Sequence, residues 1–100
     1  MKKPLAKKDS FAAIEKLAKQ TNEIALRAVS LYAAEVENII TTKCKNNKTI
    51  EHTLDGMLSF CFNEQMLLHF KTLCRYYFTI NPTATVEYIN IYREQWDSEE

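Results

Sequence analysis

The sequence predicts an all-α fold: a small helical bundle of about four helices with a long N-terminal helix. Three observations predict it. One glycine and two prolines in 100 residues leave few of the turn-forming positions that a chain of short strands would need. Apolar side chains recur at helical spacing in every segment after residue 10. The recurrence breaks at polar stretches, above all KCKNNK at 43–48, and at Asn81-Pro82. With 46% hydrophobic and 26% charged residues the composition is that of a globular protein, and the length suits one domain. The expected organisation is a flexible basic arm at 1–9, a single helical domain at 10–97 and an acidic tail at 98–100.

The first helix is expected over 10–43, with Asp9 or Ser10 as its N-cap. Advancing about 100° per residue, Phe11, Ile14, Leu17, Ala18, Ala25, Ala28, Val29, Tyr32, Val36, Ile39 and Ile40 share one arc of about 140°. Thr21 is the weakest member of that stripe, so a kink at Thr21-Asn22 is the alternative to a continuous helix. Alanines at 18, 25 and 28 permit close approach of a second helix. The second helix is expected over 49–61, capped by Thr49, with Ile50, Leu54, Met57, Leu58 and Cys61 inward; Gly56 weakens it. A β-hairpin on Asn46-Asn47 is the local rival. Asn63 is expected to cap a third helix over 63–79, whose stripe is Met66, Leu67, Phe70, Leu73, Cys74, Tyr77 and Phe78. Asn81-Pro82 stops it and opens a fourth helix over 82–97, because proline suits a first helical turn and disfavours helix before it. Tyr88, Ile89, Tyr92 and Trp96 form its stripe.

Formal charge is zero, yet residues 1–50 carry ten Lys or Arg against five acids and residues 51–100 three against eight. That polarity suits pairing within the fold, between antiparallel copies, or with separate charged partners. Three cysteines without disulfide-scaffold spacing, and an N-terminal stretch lacking a signal-peptide apolar core, predict a reducing, cytoplasmic location. No uninterrupted apolar run approaches membrane-spanning length.

The chemistry-bearing side chains read as packing. Cys61, His69 and Cys74 do not have the paired spacing of a zinc site, and His69 and Cys74 diverge by about 140° around one helix. Cys61 and Cys74 sit on apolar stripes, where a thiol acts as a small hydrophobe. Cys44, between two lysines in the loop, is the candidate for a reactive thiol, though no resolving cysteine is near it in sequence. The acids are scattered over outer faces, and neither HExxH, GxSxG nor a phosphate-cradling glycine loop occurs. The expectation is a protein without catalytic residues, cofactor, metal or small-molecule substrate.

Length carries the functional expectation. Thirty residues of helix extend about 45 Å, beyond the diameter of about 33 Å implied for a compact domain of this size. Three shorter helices cannot cover the whole stripe, and uncovered apolar surface calls for another protein. A homodimer, or union with another helical protein, is expected through Leu17, Ala25, Ala28, Val29, Tyr32 and Val36. Tyr88, Tyr92 and Trp96 either extend that contact or pin the last helix to the core. The alternative is a small nucleic-acid-associated accessory or regulatory protein, with phosphates neutralised by Lys2, Lys3, Lys7 and Lys8 of the arm and Lys43, Lys45 and Lys48 of the loop. Glu87, Glu94 and Asp97 argue against the fourth helix entering a DNA groove.

Overall fold

The computed structural model describes residues 3–96, with side chains from Ala12 onward. Four helices follow in order: α1 Lys3–Thr41, α2 Asn47–Leu58, α3 Glu64–Phe78 and α4 Pro82–Trp96, and no strand occurs among the described residues. The all-α bundle expected from composition is the fold.

Helix α1 is unbroken through Thr21 and Asn22, which removes the kink as an alternative. It begins at Lys3, so its backbone takes in most of the segment expected to be a flexible arm, and Asp9 and Ser10 lie inside it rather than at its cap. Pro4 falls in its first turn, where a missing N–H and a fixed φ cost nothing, and Lys, Leu and Ala favour continuation. The side chains of Lys2, Lys3, Lys7, Lys8 and Phe11, and the acidic segment 98–100, lie outside the described residues.

The chain leaves α1 through a Schellman turn. The amide of Lys43 donates to the Ile40 carbonyl at 3.1 Å and that of Cys44 to the Ile39 carbonyl at 2.9 Å, satisfying acceptors left over at the helix end. Lys43 holds the left-handed conformation this turn needs, φ 55°, which glycine or asparagine usually supplies. Cys44 folds back against the core, and the Tyr76 hydroxyl fixes its carbonyl at 2.8 Å.

Each later helix starts at an asparagine. Asn46 caps α2, its Oδ1 accepting from the Thr49 amide at 3.0 Å, which displaces Thr49 from the expected capping role and removes the hairpin. Asn63 accepts from the amides of Gln65 and Met66, and Asn81 from that of Ala84 at 3.1 Å, with Pro82 as the first residue of α4.

Helix α3 lies at the centre, against α1, α2 and α4, and α1 also meets α2. Ala25, Ala28, Val29, Val36 and Ile39 of α1 enter the core with Ile50, Leu54, Met57, Leu58, Met66, Phe70, Leu73 and Tyr77. Gly56 does not end α2; it makes room. A Cβ built there would stand 2.1 Å from the Tyr32 hydroxyl oxygen and 2.8 Å from the ring carbon that bears it, so α1 lays Tyr32 directly on the glycine. The radius of gyration is 17.6 Å and the longest dimension 61 Å. A compact chain of this length would have a radius near ~13 Å. Helix α1 alone spans about 58 Å and sets that long axis.

Candidate interaction surface

The apolar side of α1 divides at Ala25. From there to Ile40 it faces the body of the bundle, whereas every residue from Ala12 to Ile24 is exposed. Ile14 is 60%, Leu17 61%, Ile24 55% and Leu31 69% accessible. Ile14, Leu17, Thr21 and Ile24 are spaced three, four and three apart, and Leu31 follows one heptad later. That is the spacing by which one helix presents a seam to another. The seam lies beside the buried stripe, so part of α1 shows apolar side chains on two adjoining faces.

The residues expected to contact a partner therefore separate. Leu17 is on the free surface. Ala25, Ala28, Val29 and Val36 are buried in this chain's own core, where α2 and α3 approach α1 over the small side chains; Tyr32 is half-buried over Gly56. Ile24 and Leu31, exposed beside Leu17, lie outside the single arc read from the sequence, although their heptad relation to Leu17 was there to be counted.

The three aromatics of α4 tie that helix down. The Trp96 indole N–H donates to the Leu58 carbonyl at 2.8 Å, filling an acceptor at the end of α2, and its ring meets Phe62 with centroids 5.9 Å apart. Tyr92 lies against Phe70 at 6.0 Å, and the Tyr88 hydroxyl reaches the Glu51 carbonyl at 3.4 Å. Of the two roles expected for them, these contacts serve the pinning of α4.

A polar crevice of about 760 Å³ between α1 and α2 brings together Glu35, Glu51, Asp55 and His52. The sequence reading had left these acids scattered. Glu51 and Asp55 are one turn apart on α2, but the arrival of Glu35 depends on how α1 packs. The side-chain bonds of Glu35 and Glu51 here tie one helix to another. The Thr53 hydroxyl lies 3.1 Å from Glu35 Oε1, and the Tyr77 hydroxyl donates to Glu51 Oε2. Burial, then the bond to Glu51, pushes the Tyr77 phenol up to about 12. Burial, then Asp55, raises that of Tyr88. Among the described residues no group of three or more His, Cys, Asp or Glu is placed to hold a metal ion.

Cys61 and Cys74 are buried free thiols. Burial pushes Cys61 up to about 11, and burial together with Cys61 pushes Cys74 up to about 12, which keeps both protonated at neutral pH. Cys44 is half-buried rather than fully exposed as a loop position would be. His69 is half-buried and His52 exposed.

Lys43, Lys45 and Lys48 are exposed around the α1–α2 connection. Helix α1 carries residue 8 about 50 Å from residue 41, so the two basic groups do not merge into one patch. No described helix is long and apolar enough to cross a membrane. Compared with known proteins, the chain matches no family model, and neither a curated protein nor a solved structure is significantly similar to it.

Proposed function

We propose that this protein is a non-catalytic helical interaction or assembly module that forms a homodimer through the N-terminal half of α1. The observation that carries the reading is the exposed row Ile14, Leu17, Ile24 and Leu31 on a helix whose other half is buried in its own bundle. Each such side chain contributes about 1.5–3 kcal/mol when removed from water, so pairing a few of them across a two-fold axis offsets the cost of association. A second copy is the occupant because its own α1 supplies the same spacing, and two-fold pairs are the commonest assemblies. At helical spacing the seam between residues 12 and 24 is flanked by Ala13, Ala18 and Gln20, while Glu15, Lys16, Lys19 and Glu23 lie toward the opposite face, so like charges do not meet across a paired seam.

The non-catalytic part of the reading is supported by the bonding of the crevice acids. Glu35 and Glu51 are engaged by the hydroxyls of Thr53 and Tyr77, bonds that hold α1 to α2 and α2 to α3. A cytoplasmic location agrees with the free thiols.

Light scattering over a dilution series tests the dimer. The expected mass is twice that of one chain for the unmodified protein and that of one chain for Leu17→Glu/Ile24→Glu, with helical circular dichroism retained. A single-chain mass for both, at every concentration up to the solubility limit, would refute the homodimer. Should phosphate-backbone binding appear instead, it would have to weaken on replacing Lys43, Lys45 and Lys48 for the nucleic-acid alternative to replace this reading.

A further inference from the structure

A second surface, independent of α1, lies between α3 and α4. There a groove of about 500 Å³ has Leu67, Phe70, Phe78 and Ile89 along its floor and sides. Phe78 and Ile89 are exposed, although the helical stripes read from sequence assigned both inward. Lys71 and Arg75 stand along one wall and Arg93 on the other. These are the three basic residues of the entire second half of the chain, which carries eight acids, and among the described residues no acid lines the groove. Among the described residues no hydrogen bond or ion pair engages any of the three cations.

We infer that the α3/α4 groove docks an acidic amphipathic helix of a partner protein, its apolar face on Phe78, Leu67 and Ile89 and its carboxylates on Lys71, Arg75 and Arg93. The dimensions suit such an occupant. From Leu67 to Phe78 the α3 wall runs about 17 Å, three turns of a docked helix. Lys71 and Arg75 are one turn apart, the separation that also relates acids at i and i+4 on a facing helix. Charge complementarity selects against the other occupants. A second copy meeting groove to groove would set three cations against three. The exposed half of α1 from a second copy carries Lys16 and Lys19 against Glu15 and Glu23, a net charge of zero, and so offers no acidic complement. Residues 97–100, Asp-Ser-Glu-Glu, supply acids and no apolar side chain for the floor. A fatty acid presents one carboxylate, which engages one of three cations spread along both walls.

The test uses isotope-labelled full-length protein and a synthetic helical peptide of about 15 residues, leucines three and four apart, glutamates on both flanks. A twin peptide has lysine for every glutamate. Expected are chemical-shift changes centred on Phe78 and Ile89, affinity at least about tenfold tighter for the acidic peptide than for its twin, and weakening with added salt. Lys71→Glu/Arg75→Glu should reverse the preference with the helical spectrum unchanged, whereas Lys71→Arg/Arg75→Lys should keep it. Equal affinity for both peptides, or shifts confined to α1, would overturn the inference. So would saturable binding of palmitate or of a single-stranded oligonucleotide in the groove with no response to the acidic peptide. Repeating the titration with Leu17→Glu/Ile24→Glu separates this outcome from that of the dimer, since the groove shares no residue with the seam.

Discussion

From Ala25 to Ile40 the inward side of α1 is covered by α2 and α3, while from Ala12 to Ile24 side chains of the same kind stand in solvent on the same unbroken helix. The difference is one of supply rather than of sequence. Helices α2, α3 and α4 have 12, 15 and 15 residues, so each reaches about 18–23 Å along a spine of about 58 Å. What a stripe buries is thus decided by the reach of its neighbours, and an equally apolar continuation remains free for another molecule.

Substitution at matched positions breaks or sharpens that contrast most strongly. Ala25→Glu places a carboxylate where the native side chain has no exposed surface and should cost about 4 kcal/mol or more, read by urea denaturation. Leu17→Glu, measured where the protein is a single chain, should change stability by no more than about 0.5 kcal/mol. Comparable losses at both sites would mean that the chain covers its own first half.

Next in size is the contact by which the covered half grips α2. Alanine at position 56 gains about 1 kcal/mol of helix propensity but drives a Cβ into Tyr32, a strain costing about 1–3 kcal/mol. Gly56→Ala should therefore lose up to about 2 kcal/mol net, and adding Tyr32→Phe should restore part of it by removing the nearest atom. A stabilised Gly56→Ala would show that Tyr32 is loosely held and the covered half less tightly fixed than its burial indicates.

At the end of the covered half, Lys43 holds a left-handed turn that disfavours any residue with a Cβ by about 1 kcal/mol. Lys43→Gly should raise the melting temperature accordingly, with its effect confined to the turn.

The smallest expected effect is on alkaline stability. Tyr77 and Tyr88 titrate above the ordinary tyrosine value, so the unfolded chain ionises first as pH rises. The contribution of Tyr77 is complete below about pH 10 and is lost as pH climbs through about 12, and that of Tyr88 persists to higher pH still. Tyr77→Phe should flatten that part of the pH–stability curve.

Much of the fold was legible. Periodicity located four helices, Asn63 and Asn81-Pro82 marked two of their starts, and Ile50, Leu54, Met57 and Leu58 of α2 were read correctly as inward, although α2 stops at Leu58 and Cys61 is buried from the turn that follows. What escaped depends on tertiary placement. Helical spacing marks Phe78 and Ile89 as inward, but both stand in the open groove between α3 and α4 and stay exposed. Thr53 and Thr85 are buried despite their hydroxyls, each bonded to a carbonyl one turn back, a pairing that hydropathy does not register. The surface of α1 was legible as too long to be covered, but not where cover would stop, so four of the six expected α1 partner residues lie in the chain's own core.

Hydrogen exchange along α1, followed as the protein is diluted, tests most directly whether the free half is completed by a second copy. A helix without tertiary burial is only marginally stable in water, so helical backbone at 12–24 should owe its protection to the partner. The account predicts that amides of 12–24 gain protection as concentration rises, while those of 28–40 stay protected throughout. Protection of 12–24 that is the same at every concentration would contradict it.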